Sequence, residues 1–253
     1  MDKNAILEEI KRKKELSGLA DSLVSNILDN YLRRHNIEFN ALKKKEIKIV
    51  IKDIRAELRN LAGRFQKSLK KIELKNENIN EILKTHASTS ERFDFYPKLR
   101  AMIRSLKISS ILDIGCGLNP IALADKKIYY YASDVNEENL ALIRKFFEKH
   151  KIKGEVFTYD IKNPNTSLPK SDLCLMLKLL DIVETKSHEI AKAIIEKIDY
   201  KYILISFATK TLSGKRMRYP RRKWFEFLLK NLNCEYKTFS SNNELFYLVK
   251  KLS

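Results

Sequence analysis

The chain is short of several things at once. Its three cysteines, Cys116, Cys174 and Cys234, are scattered without CxxC spacing, which excludes a disulfide framework and supplies no zinc ligand set, so no metal site is expected. Six glycines and five prolines in 253 residues leave little from which to build a disordered linker. Four scattered histidines give no sign of a Ser-His-Asp or Cys-His nucleophilic arrangement. Long apolar runs are missing as well. The most apolar segment, Leu173 to Val183, is interrupted by Lys178 and Asp181 and is too short to span a bilayer. The opening residues, MDKNAILEEIKRKK, are charged from the second position and lack a signal-peptide core, so a cytoplasmic location without membrane attachment is expected. Acidic residues are in deficit: 32 Asp and Glu against 50 Lys and Arg leave a formal net charge of +18. That excess favours a polyanionic partner over a small neutral one, the alternative being a basic solubility surface.

What is present falls into two parts. Up to about Ser105 the pattern is helical, with helices expected near Ala5 to Leu16, Leu19 to Arg34, Ala41 to Leu69, Ile79 to Thr85 and Ser88 to Leu106. Beyond it, short β-rich runs alternate with helical ones. Strands are expected at Ser110 to Ile114, Lys127 to Ser133, Gly154 to Tyr159, Leu173 to Leu177, Tyr202 to Phe207, Glu235 to Ser240 and Leu245 to Val249. The last two lack a crossover helix and are joined by Ser241, Asn242 and Asn243, which implies an antiparallel hairpin at the sheet edge. The expected fold is therefore α/β, a class I methyltransferase Rossmann-like sheet, residues 106–253, behind an N-terminal helical domain, residues 1–105.

The segment LDIGCGLNP, Leu112 to Pro120, carries the chemistry. A buried strand delivers Asp113 to a turn with Gly115 and Gly117, where backbone can approach a ligand without Cβ interference. Asp134, about twenty residues on at the end of a second strand, is placed to accept from ribose hydroxyls. The third glycine of the dinucleotide pattern is replaced by Asn119-Pro120, which argues against a pyrophosphate and for S-adenosylmethionine. Asp160, closing the third strand, is placed either to accept from the adenine amine or to cap a helix. In the helix from Ala41, Ile47, Val50, Ile54, Leu58, Leu61 and Phe65 form one stripe and Lys45, Lys48, Lys52, Arg55 and Arg59 another. The second stripe either follows a phosphate backbone or is a solvated basic face.

Five segments taken together add a resemblance. HASTSER (His86 to Arg92), LDIGCGLNPIAL (from Leu112), LMLKLLDIVE (from Leu175), SFATKTLSGK (from Ser206) and NNELFYLVKK (from Asn242) resemble the aminoglycoside-resistance 16S rRNA methyltransferases, the Arm/Rmt group that modifies guanine N7 in the ribosomal decoding site. The likeness runs from His86 to Lys215 with a second stretch near Glu244; before it only the helical, basic character is similar. It implies an S-adenosylmethionine-dependent rRNA methyltransferase acting on 16S rRNA in the 30S subunit; a monomer is expected, though the sequence leaves the oligomeric state open. It also implies that Arg92 meets the methionine carboxylate of the cofactor, with His86 either orienting Arg92 or capping a turn. Ser88 and Glu91 read more plainly as a capping box. Lys178, costly at an apolar strand end, lines the target pocket or else snorkels to solvent. Phe207 stacks on the extruded base or belongs to the core.

The departures from the family pattern are as definite. Asp181 and Ala208 each stand where the family has proline, and after Gly214 the chain reads KRMRYPRRKW, shorter and more basic than the family's run. Lys215, Arg216, Arg218, Arg221 and Arg222, interleaved with Tyr219 and Trp224, suit phosphate contact and stacking. They also leave open a different RNA or base, adenine N1 included. A catalytically silent ribosome-assembly factor and a small-molecule methyltransferase are the rival functions.

Overall fold

The computed structural model describes residues 2–63, 79–163, 167–184, 187–211 and 214–251. Apolar runs buried on both faces dictate the centre of the fold, because parallel strands flanked by helices leave no polar side. Strands β1 (Ser110–Ile114), β2 (Tyr129–Asp134), β3 (Gly154–Thr158), β4 (Ser171–Leu177), β5 (Tyr200–Ala208), β6 (Cys234–Ser240) and β7 (Glu244–Lys251) form one sheet in the order β3-β2-β1-β4-β5-β7-β6. The first five are parallel. β7 runs antiparallel to β5 and to β6, the expected edge hairpin. This is the class I methyltransferase arrangement. All seven strands lie where the sequence places them, to within a few residues.

The N-terminal helices are α1 (Lys3–Lys11), α2 (Asp21–Arg34) and α3 (Lys44–Leu58), the last passing into a π turn at Arg59–Gly63. The helix expected to Leu69 thus changes form at Arg59, and its remainder, Phe65 included, lies outside the described residues. The helix expected from Ser88 to Leu106 is three pieces: α5 (Ala87–Arg92), a 3₁₀ turn at Phe93–Phe95, and α6 (Tyr96–Ser105). Pro97 in the first turn of α6 has no N–H to continue a helix from upstream, which sets the break. α4 (Ile79–Thr85) precedes them.

Packing divides the helices unevenly. Ile6, Leu16, Leu28, Ile54 and their neighbours from α1 to α3 share a core of their own. Ile82, Leu83, Tyr96, Leu99 and Ile103 pack instead with Ile111, Tyr130 and Leu175 of the sheet. The opposite sheet face is covered by the helices Glu189–Lys197 and Lys223–Asn231, with Phe207, Phe225 and Tyr247 between. The two parts meet where Ala20 N–H donates to Val135 O at 2.9 Å and Glu137 N–H to Gly18 O at 2.7 Å. The N-terminal module therefore holds the start of the helix Glu137–His150 and the loop after β2.

Candidate methyl-transfer site

At the carboxyl ends of the strands, β1 runs into Gly115 (φ 65°) and Gly117 (φ 53°), both left-handed. A Cβ on Gly115 would stand 2.8 Å from Leu179, and one on Gly117 would stand 3.0 Å from the His86 ring. Glycine is required at both on two counts, backbone hand and space. The turn is pinned from β2: Asp134 Oδ2 accepts from Gly117 N–H at 2.7 Å and Oδ1 from Asn136 N–H at 2.9 Å. Burial pushes the Asp134 carboxyl up, and those backbone donors oppose it.

Behind the turn Asp113 is fully buried and accepts from Tyr130 Oη at 2.7 Å through Oδ2. Burial lifts its pKa to about 7 against the Tyr130 hydrogen bond and the Arg92 charge. His86 lies against Gly117 with Nδ1 2.9 Å from Ser88 Oγ. Burial, and next the Arg92 charge, lower its pKa to about 4, so the ring is neutral near pH 7.

The first hollow is bounded by Gly115, Gly117, Asp134, Asn139, Lys178 and Leu179. Its lining suits S-adenosylmethionine on three observations: a cradle that any Cβ would fill, the Asp134 carboxylate at its edge, and the buried Asn139 Oδ1, which has no partner among the described residues. A second hollow of about 410 Å³ lies beside it, bounded by Glu91, Lys178, Asp181, Ala208, Lys210 and Arg222 among others. Ser88, Lys178 and Ile182 belong to both hollows, so the two share a wall.

Lys178 ends β4 with φ 57°, a backbone hand rare outside glycine. It is held there by its N–H, which donates to Ser206 O and Ser206 Oγ, each at 3.0 Å. The ammonium is paired with Glu91 and lies 3.4 Å from Glu244 Oε1. Burial at a strand end is tolerated because two carboxylates face it.

Several expected roles need correction. Arg92 does not border either hollow; it is fully buried, with Nε and Nη2 on Glu244 Oε2 at 3.2 and 3.1 Å and Nη1 on Asn119 Oδ1 at 2.7 Å. Burial works against its charge, and Glu244 more than restores it. Arg92 is thus the internal counter-ion of Glu244 rather than a carboxylate clamp at the surface of the site. Phe207 is equally buried, edge-on to Trp224, Phe225 and Tyr247, because its position on β5 faces the helix layer while Ser206 faces the site. Asp160 spends Oδ1 on Lys162 N–H and Oδ2 on Asn163 Nδ2, and borders a separate hollow with Arg33 and Glu57. Ser88 and Glu91 form no capping box, since His86 is the N-cap and Glu91 turns to Lys178 and Asn243.

Among the basic residues, Lys45, Lys48, Lys52, Lys215, Arg216 and Arg218 are exposed. Four arginines, of which Arg221 is also exposed, are held in ion pairs within the chain. Arg55 donates to Ile10 O at 3.2 Å and to Glu9, Arg59 lies 2.8 Å from Glu15, and Arg221 lies 2.7 Å from Glu226. Arg222 grips Asp181 at 3.0 and 2.9 Å and donates to Ala208 O at 3.0 Å. Glu244 escapes notice as a site residue in the sequence, and Asn119 and Asp181 are marked there only as departures from a pattern; each has its partner far along the chain.

The family described as "Ribosomal RNA methyltransferase (FmrO)" matches residues 73–231. A 16S rRNA (guanine(1405)-N(7))-methyltransferase of Serratia marcescens is 29% identical over 262 aligned residues, which span 99% of this chain and 99% of that protein. Its counterpart in Micromonospora echinospora is 24% identical over 184 residues, 68% of this chain and 66% of the relative. Among solved structures, the 16S rRNA methylase RmtB aligns over 100% of this chain and 99% of its own, with TM-score 0.78 and 25% identity. The 16S rRNA methyltransferase RmtF, in complex with S-adenosyl-L-homocysteine, aligns over 100% of both chains with TM-score 0.78 and 19% identity, a likeness of fold.

Proposed function

Because this chain belongs to the FmrO family of ribosomal RNA methyltransferases, we propose that it methylates N7 of a guanine in 16S rRNA with S-adenosylmethionine as methyl donor, as its relatives are named for doing. One observation carries the reading to the level of residues: the glycine cradle with Asp134 and the second hollow share the wall made by Ser88, Lys178 and Ile182. A methyl donor in one and a base in the other would meet there.

When bound, S-adenosylmethionine supplies an electrophilic methyl whose bond to sulfur breaks as the bond to N7 forms, so that the positive charge passes to the purine. Guanine N7 offers an in-plane lone pair, and no proton has to be removed first. The work of the protein is then alignment and electrostatics. Asp134 and the two glycines fix the donor side, with Asn139 beside them. Lys178 and Glu91 border the acceptor side as one ammonium beside one carboxylate, with Glu244 buried behind them and paired to Arg92. His86 is held neutral and Cys116 is a thiol pushed well up by burial, so neither acts as a nucleophile or shuttle.

The substrate we favour is the assembled 30S subunit, met by a monomer through Lys45, Lys48, Lys52, Lys215, Arg216 and Arg218, all exposed. The test is transfer of labelled methyl to purified 30S subunits, with the product nucleotide mapped by mass spectrometry. 7-Methylguanine at one decoding-site position is the expected result. Cofactor binding without label on 30S subunits or naked 16S rRNA would refute it.

A further inference from the structure

In the second hollow the Lys178 ammonium and the Glu91 carboxylate stand in direct contact, and both border the space. Glu91 is anchored through one oxygen: Oε2 accepts from Lys178 Nζ and, at 3.0 Å, from Asn243 Nδ2. No donor among the described residues reaches its Oε1, and the side chain is 49% exposed. Asp181, the other carboxylate on this wall, has no such freedom. Its Oδ1 takes Arg222 Nε, and its Oδ2 takes Arg222 Nη2 and the Ala208 N–H.

An ion pair held this way presents a donor beside an acceptor. The complementary edge belongs to guanine, which offers O6 as acceptor beside N1–H and N2–H₂ as donors. Adenine offers the reverse order, an N6–H₂ donor beside the N1 lone pair. It would set its amino group against the ammonium and its lone pair against the carboxylate. Lys178 also borders the cofactor hollow. N7 is the ring nitrogen next to O6, so a guanine with O6 on Lys178 has N7 on the side of the shared wall.

We propose that Glu91 is the residue with which this chain selects guanine, accepting from N1–H and N2–H₂ while Lys178 donates to O6. The inference rests on the reading that the second hollow receives the base, and it gives that hollow its specificity. It also accounts for two features otherwise unconnected. A half-exposed carboxylate is tied down through a single oxygen, and Lys178 is held at φ 57° by two bonds to Ser206.

The test uses the full-length protein and 30S subunits whose 16S rRNA carries either guanine or inosine at the target position. Inosine keeps O6, N1–H and N7 and lacks only the N2 amino group. Wild type is expected to lose about ten- to a hundredfold in kcat/KM on inosine, the discrimination typical of one specific base contact. Glu91→Gln is expected to lose a comparable factor on guanine and a smaller one on inosine, where only the N1–H contact is left to weaken, with S-adenosylmethionine affinity by calorimetry unchanged. Glu91→Asp should recover part of the loss. Losses that multiply across variant and base, or a Glu91→Gln enzyme as active as wild type on guanine, would overturn the proposal and leave Glu91 as a mere counter-ion of Lys178. If instead the wild type binds cofactor and leaves the 30S guanine untouched, the underlying substrate reading fails first, independently of Glu91.

Discussion

Asp113 and His86 flank the glycine turn and titrate in opposite senses. The folded state holds the Asp113 proton up to about pH 7, so its stabilising contribution is complete below the unfolded value near 4 and is lost as pH rises through 7. His86, lowered to about 4, contributes above its unfolded value near 6.5, and that contribution is lost as pH falls toward 4. Between those limits the two slopes oppose each other. Asp113→Asn should expose the concealed one: relative to wild type the variant gains on the order of 3 kcal/mol between pH 4.5 and 7.5. Urea unfolding at both values checks this, and a pH-independent difference would show that Asp113 ionises normally. The Arg92–Glu244 pair is fully buried on both sides, so Glu244→Ala strands an arginine and should cost about 3–5 kcal/mol, read as a lower urea midpoint. Neither this pairing nor its consequence for Lys178 was legible in the sequence. Glu244 opens a strand in a polar turn, and the arginine that explains it lies 152 positions away.

At the scale of elements the strands were legible because burial on both faces writes itself as continuous apolar runs, as in Leu173–Leu177. Parity was not. A motif at the end of β5 names Ser206 and Phe207 together, but alternation sends only one of them to the site, and nothing local says which. The departures from the family pattern were legible singly and proved to be one structure. Asp181 accepts the Ala208 N–H, which a proline at that position would lack, and Arg222 of the basic run closes the knot on both residues. Because Ala208 pairs with Glu244 in the sheet, the knot holds the rim of the second hollow against the Arg92–Glu244 pair. A double-mutant cycle of Asp181→Asn and Arg222→Gln is therefore expected to show about 1–3 kcal/mol of coupling in unfolding free energy. Strictly additive losses would mean that the two side chains act separately. Ala208→Pro should lower stability by about 1 kcal/mol through the lost N–H alone.

For the molecule as a whole, the expected division at residue 105 sits uneasily with the packing, since the helices of 79–105 share the core of the sheet. We propose that the N-terminal module is the part built on the separate core of α1 to α3 and that α4 to α6 belong with the sheet. That module does two things at once. It clamps the loop after Asp134 through Ala20 and Gly18, and it carries a basic stripe whose members have different fates. Lys45, Lys48 and Lys52 are exposed, and none has an ion-pair partner among the described residues. Arg55 and Arg59 are committed to Glu9 and Glu15, and burial of the apolar stripe beside them fixes that choice. Composition gave the charge, and helical period gave the face. Which cations stay free depends on α1, a helix more than forty residues upstream of Arg55. The consequence is measurable in salt. Each lysine lost from a phosphate contact removes about 0.7–0.9 from the slope of log affinity against log salt. The Lys45→Gln, Lys48→Gln, Lys52→Gln triple variant is thus expected to bind 30S subunits with a slope shallower by about 2, its unfolding free energy almost unchanged. Arg55→Gln should do the reverse, keeping the wild-type slope and losing on the order of 1 kcal/mol of stability as its hold on α1 goes. If Arg55→Gln flattened the slope and left stability intact, the RNA would be reading the stripe as the sequence presents it, and the contacts to α1 would be broken in the complex.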